Sequence, residues 1–239
     1  MFKFKGIKSS AMFVKCVDED FKGKSARNYI ETSAEGYDGP TIELLGYQNY
    51  SSSLEIILFK PSMLDDVLAW LDGSGEFEYE GRITKAHFLE SVSTENKFDR
   101  VIMIKTNFVR SPFWYNAYDP KVKVSNFIRN DGNVYAKPVI EMYGQANETV
   151  KLTINDITLS YTFDETKGVV IDCAELTETM NGISKSKNLK LEGYSYPILY
   201  PGINKVSVEG KAEIYVTRKD AWLWLRYMRQ VQLILITMD

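Results

Sequence analysis

The chain has 239 residues, 44% of them apolar and 26% charged, enough for one or two domains with a sizeable core and unlike a disordered or low-complexity segment. Its formal net charge of −3 leaves no electrostatic footprint for phosphate backbones, so specific nucleic-acid binding is not expected. The 15 Tyr and 12 Phe favour strands and interfaces over a helical fold.

The opening Met1-Phe-Lys-Phe-Lys-Gly6 alternates apolar and basic residues and has no signal-peptide core. Folding in a reducing cytoplasm is therefore expected, with Cys16 and Cys173 as free thiols. Runs rich in Val, Ile, Phe and Tyr predict strands at 11–17, 54–59, 100–109, 150–154, 157–163, 169–171 and 212–216, with turn residues between them at all-β spacing. Asp18-Glu-Asp20 and Gly23 match the start of a calcium loop, but Lys22 and Tyr29 stand where oxygen ligands are required. Lys22, Lys24 and Arg27 lie beside Phe21 and Tyr29, and the acids around them cancel their charge; a loop of mixed charge is expected there.

One helix is predicted over 62–72. Ser62 stands in N-cap position with Asp65 three residues on, Asp65 and Asp66 suit the positive end of the dipole, and Leu64, Val67, Leu68 and Leu71 form one apolar stripe ended by Gly73. So short a helix must pack on a sheet, which makes Trp70 a packing residue. Glu76, Glu78 and Glu80 alternate with Phe77 and Tyr79, placing three acids on the wet face of a strand. The polar stretch Asn126-Phe-Ile-Arg-Asn-Asp-Gly132, entered from a strand-like 121–124, is the best candidate boundary between two domains, 1–128 and 129–239.

Beyond it, Asn155-Asp156 is a two-residue hairpin turn by type, Glu209-Gly210 resembles another, and Asn181-Gly182 marks a third tight turn. The end of the chain from Trp222 is strongly apolar, but Arg226, Arg229, Gln230 and Gln232 leave it too short for a membrane span. Residues 219–239 are expected to form a last strand or helix docked on either domain.

Catalytic chemistry is hard to assemble from these residues. His87 is the one histidine, and a strand histidine with an ordinary hydrogen bond is the simplest reading of it. No nucleophile elbow, phosphate loop, zinc-protease motif or paired C-x-x-C occurs. No catalytic, cofactor-binding or metal-binding residue is assigned, and no enzyme activity is expected.

Several turn motifs occur in an order similar to that of the distal tail protein (Dit) family of long-tailed, siphovirus-type phages. Glu35-Gly-Tyr-Asp-Gly39 resembles the family's G-R-D-G turn, with Tyr37 where arginine is usual. The strand 54–59, the capped helix and Trp70-Leu71 resemble its strand and W-L helix. Phe108-Val-Arg-Ser-Pro-Phe-Trp114 resembles its strand ending in an aromatic-proline turn. Pro138-Val-Ile-Glu-Met-Tyr-Gly144 resembles the opening strand of its sandwich, and Tyr196-Pro-Ile-Leu-Tyr-Pro-Gly-Ile-Asn204 is close to its P-x-L-x-P-G-x-N motif. The resemblance spans residues 1–217.

It implies a mainly β protein: an N-terminal β-rich domain (1–128) carrying the short helix, and a C-terminal galectin-like β-sandwich (129–239). It further implies a structural hub of the tail tip or baseplate, made in the host bacterial cytoplasm and assembled in the virion. Its copies would form a hexameric ring from the N-terminal half. The implied partners are the tail tube protein, the tail-associated lysin or central fibre protein, and receptor-binding proteins. Two other classes compete. A carbohydrate-binding sandwich for host-surface adhesion lacks, within 129–218, any His or Trp of the kind galectin sugar sites use. A cell-wall enzyme lacks the residue sets already named.

Overall fold

The computed structural model describes residues 1–97, 100–165 and 167–225. They are mostly strands, with one α-helix and four short 3-10 turns. Ten of these strands join into an antiparallel sheet. Its main path runs Ile7–Lys8, Phe2–Phe4, Gly73–Tyr79, Arg82–Phe88, Val101–Arg110, Tyr50–Leu58 and Val14–Cys16; Val92–Lys97, Trp114–Asn116 and Ala221–Trp222 add at its margins. Alternation does the sorting: along Val101–Arg110, every second side chain from Ile102 to Arg110 is buried. The core they enter is unusually aromatic, built from Phe2, Phe4, Phe21, Phe77, Phe88, Phe108 and Trp114. Phe88 and Phe108 stack at 4.8 Å and Phe2 on Phe77 at 5.2 Å.

The helix is shorter than expected. Pro61–Met63 form a 3-10 turn and the α-helix runs Leu64–Trp70, with Met63 rather than Ser62 at its N-cap and no side-chain cap. Pro61 presets φ for a turn that starts one residue ahead of Ser62, so the serine lies inside the turn and cannot cap the helix. Val67 and Leu71 are buried as the stripe predicts, while Leu64 and Leu68 are only half-buried. Trp70 completes the contact, stacked on Phe2 at 5.5 Å and donating its Nε1–H to the Phe4 carbonyl at 2.9 Å.

The second body is a β-sandwich. One sheet runs Lys121–Lys123, Glu213–Thr217, Val139–Tyr143, Gly168–Asp172, Thr177–Met180 and Ile183–Ser184; the other runs Phe127–Asn130, Gly202–Glu209, Thr149–Ile154, Ile157–Thr162 and Leu189–Leu191. Ile140, Met142, Ile171 and Val216 of the first meet Leu152, Ile154, Leu159 and Tyr161 of the second in one core. The Asn155-Asp156 hairpin forms, with Ile154 opposite Ile157 and Asn155 at φ +53°, and Asn181-Gly182 turns between Met180 and Ile183. Glu209-Gly210 does not make a hairpin. Gly202–Glu209 already has a partner on each edge, so Glu213–Thr217 crosses to the opposite sheet. The stretch 126–132, expected as a polar connector, contains the strand Phe127–Asn130, and Lys121–Lys123 before it also belongs to the sandwich. Buried Ile128 and Asn130 explain why a strand forms within this polar stretch.

Asn204, the last residue of the P-x-L-x-P-G-x-N motif, holds this body's loops together. It is fully buried, donates to the carbonyls of Tyr200 (2.8 Å), Gly202 (3.2 Å) and Ile128 (3.3 Å), and accepts from the Tyr200 N–H and the Asn155 side chain, both at 2.8 Å. Asn204→Ala leaves these groups unpaired in a dry site and is expected to cost the sandwich about 3 kcal/mol. A urea titration that resolves the sandwich transition checks this; an unchanged midpoint would show that water replaces the side chain.

Candidate assembly interface

The most exposed ordered element is a hairpin that joins neither body. Arg27–Thr32 pairs antiparallel with Thr41–Tyr47 as a separate two-stranded sheet, with a bulge where Asn28 gives way to Tyr29. The register places Tyr29 opposite Leu44 and Glu31 opposite Ile42. One face therefore carries Tyr29, Ile42 and Leu44, which are 54%, 55% and 59% exposed. The turn Glu35-Gly-Tyr-Asp-Gly39 is the tip, with Gly36 and Gly39 at positive φ and Tyr37 projecting. A lone two-stranded hairpin is marginal in water, and an apolar stripe on one marks a surface that another molecule covers.

The root of the hairpin, by contrast, is fastened. Arg110 is fully buried. Its Nε donates to the Phe21 carbonyl at 2.8 Å, Nη1 to those of Ser111 at 2.9 Å and Pro112 at 3.3 Å, and Nη2 to that of Gly23. The guanidinium lies 4.5 Å from the centre of the Tyr50 ring and 5.2 Å from that of Trp114. Burial pulls it down to about 10, so it stays charged at neutral pH. Gly23 is needed where it stands, since a Cβ there would lie 2.1 Å from the Tyr50 hydroxyl. Ser25 Oγ donates to the Pro112 carbonyl, the Gln48 N–H to that of Ala26, and Tyr47 packs edge-on against Phe113 at 5.4 Å. A rigid base thus carries an uncovered arm.

The two bodies are joined where the chain returns from the sandwich. Ala221–Trp222 pairs with Trp114–Asn116 of the first sheet, and Leu225 enters the first core. A Cβ on Gly132 would lie 2.2 Å from the Ala221 carbonyl, so only glycine permits this approach. Trp222 is half-buried under Arg82, whose guanidinium carbon lies 3.2 Å from the ring centre. Trp224 is 37% exposed. The expected docking of 219–239 is thus visible as far as residue 225; residues 226–239 lie outside the described residues.

Asp220 is fully buried at this junction, 2.9 Å from Arg218 Nη2, with Asp119, Asp131 and Arg82 close enough to act on it or feel it. Burial pushes its carboxyl up to about 6, with Arg218 and a hydrogen bond from the Asp131 backbone opposing the shift and the charge of Asp119 adding to it. Because the native value lies above the unfolded 3.8, the group contributes stability that is fully present below that value and is lost as pH rises to about 6. Asp220→Asn is expected to remove this loss. Urea midpoints at about pH 4 and about pH 7.5 should show the variant gaining on the wild type only at the higher pH. Equal gains at both would place the carboxylate in contact with water.

The other residues singled out in the sequence have structural environments. His87 Nδ1 lies 2.7 Å from Ser74 Oγ on the neighbouring strand. Glu76 and Glu78 face away from the core that holds Phe77 and Tyr79, Glu78 bound to Lys3, and Glu80 falls in the turn that follows. The segment expected as a loop of mixed charge is more ordered than that. Phe21 is fully buried in the first core and Lys22 nearly so, its ammonium 2.6 Å from Glu19, while Arg27 opens the hairpin over Tyr47. Cys16 and Cys173 are free thiols, both pushed up chiefly by burial, to about 11 and about 12. Among the described residues no cluster of His, Cys, Asp and Glu is placed to hold a metal ion, and no helix is long and apolar enough to cross a membrane.

Residues 131–222 match the family described as siphovirus-type tail component, C-terminal domain. Among solved structures, the chain is similar to phage SPP1 Dit, described as a paradigm of hub adsorption apparatus in Gram-positive infecting phages. Identity is 13%, 90% of this chain and 97% of that one are covered, and the TM-score is 0.68. A more distant likeness is to chains of the phage P2 baseplate in its activated conformation. With Ca the identity is 9%, the coverage 87% and 91%, and the TM-score 0.45; with Sr they are 10%, 85% and 90%, and 0.40. Curated proteins gave no match.

Proposed function

We propose that this chain, whose residues 131–222 match the siphovirus-type tail component family, is the ring-forming hub of a phage tail tip. The family is one of structural tail components, and the chain is not an enzyme. Six copies close head to tail through the N-terminal half, the part of residues 1–128 that precedes the sandwich strand Lys121–Lys123, and the sandwich points outward. The ring lies between the tail tube protein on one side and the tail-associated lysin or central fibre protein and receptor-binding proteins on the other.

The observation that carries this reading is the hairpin: an arm with a clamped root and an apolar face left exposed among the described residues. An arm reaching from each copy onto a different surface of the next is a heterologous contact, and such contacts close into rings. Burying Tyr29, Ile42 and Leu44 against a neighbour is worth roughly 1.5–3 kcal/mol for each side chain. The net charge of −3 per copy makes the ring acidic, which suits a channel that DNA crosses without adhering. Light scattering across a dilution series tests the reading. A mass that rises from the 27.4 kDa of one chain towards a fixed multiple supports it, and a constant single-chain mass at high micromolar concentration opposes it.

A further inference from the structure

We infer that the hairpin tip of one copy docks, through Tyr37, in the cleft between the two bodies of the next copy. This deepens the ring reading above and rests on it. The tip pairs an aromatic side chain that is 81% exposed with an acid on either side, Glu35 and Asp38. Such a group in open water is stabilised by a socket that is apolar within and basic at its rim.

The molecule has a cleft that is apolar within and offers two lysines at its rim beside the acids Asp172 and Glu175. This cleft, of about 440 Å³, opens between the bodies, lined by Ile83 and Tyr115 from the first sheet and Tyr135 and Val139 from the sandwich, with Lys137, Lys219 and Glu175 at its edge. Both lysines are exposed, and neither is in an ion pair with a described residue. Asp172 on the same wall is turned to its own backbone, accepting the N–H groups of Ala174 (2.8 Å) and Glu175 (3.0 Å). The lysines are therefore positioned to meet Glu35 and Asp38 while the ring of Tyr37 enters among Tyr115, Tyr135 and Val139. The volume is within the range of clefts that bury a bulky group.

Reach and position agree with this partner. From root to tip the hairpin is ten or eleven residues, on the order of 35 Å at strand rise. A compact domain of the size of the first body is also on the order of 35 Å across. An arm running along the ring thus ends near the point on the next copy that corresponds to its own root. That root adjoins the cleft: Tyr47 touches Phe113 at 5.4 Å, and Phe113 touches Tyr135 at 5.8 Å and Tyr115 at 6.4 Å. Each copy would then receive its neighbour's tip beside the base of its own arm. One aromatic cluster would connect incoming and outgoing contacts around the ring.

The test places the photoreactive analogue p-benzoylphenylalanine at position 37 of the full chain. Isotope-labelled and unlabelled copies are mixed, irradiated, and the cross-linked peptides identified by mass spectrometry. The inference expects cross-links between copies that map to residues 113–116 or 135–139. Multimers by light scattering whose cross-links map elsewhere, or that give none, overturn the inference and leave the ring reading standing. A protein that is monomeric with and without the analogue overturns both. As a second measurement, Asp38→Lys should weaken association at least ~10-fold, and Lys137→Glu in the same chain should restore it. Weakening without restoration would assign Asp38 to a different contact.

Discussion

Replacing residues 28–46 with a short Gly/Ser turn is expected to give a protein that folds normally and no longer assembles. No side chain between those limits enters either core, and Arg27 and Tyr47, which form the root, are retained. Thermal unfolding of each body should therefore stay close to that of the wild type. Assembly should change greatly: three apolar side chains per copy lose their cover at ~1.5–3 kcal/mol each. Even if half of that is offset by the cost of ordering the arm, the association constant drops by a factor of between ~50 and ~2000. Sedimentation of the two proteins side by side checks both halves. Retained multimers would move the ring contact to the strands Val92–Lys97 or Val14–Cys16, each of which pairs with one strand among the described residues.

Arg110→Met is expected to be the most damaging single substitution in the first body. The methionine keeps much of the buried stem but supplies no donor to the carbonyls of Phe21, Gly23, Ser111 and Pro112. Breaking a buried charged network in this way costs ~3–5 kcal/mol. The loss should appear in the first body's unfolding transition, with the sandwich transition little changed. Association should weaken as well, because the carbonyls released belong to the loops on which the hairpin's root is seated. Arg110→Lys should rescue little, since a single ammonium cannot reproduce the planar fork that meets carbonyl acceptors in three directions. Wild-type stability in the lysine variant would mean that the charge, and not the geometry, holds the loop.

Much of this was legible in the sequence wherever a buried face leaves a pattern. The strands around Phe77 and Phe108, the Asn155-Asp156 hairpin and the existence of the helix all follow from alternation, stripe and turn residues. Asn204 could be singled out only through its motif, because a buried asparagine has no periodic signature; its five bonds supply the physical reason. The arms at Arg27–Thr32 and Thr41–Tyr47 were missed for a related cause. With no core of their own to face, they carry apolar residues on exposed positions and break the alternation by which strands are recognised. Only their tip, Glu35-Gly-Tyr-Asp-Gly39, was visible as a turn. Arg110 has no signature of its own in the sequence, since nothing local predicts that four carbonyls from two loops converge on it. The strands Lys121–Lys123 and Phe127–Asn130 are short and polar, so their pairing is set by the sandwich and not by their own composition.

The family match covers the sandwich, residues 131–222, whereas the proposed ring rests on the other half of the molecule. Negative-stain electron microscopy of the full chain, alone and mixed with the tail tube protein of the same phage, addresses that gap. Closed rings with six equal outward lobes in either preparation are the predicted result. Separate two-lobed particles in both, at concentrations of tens of micromolar, would contradict it.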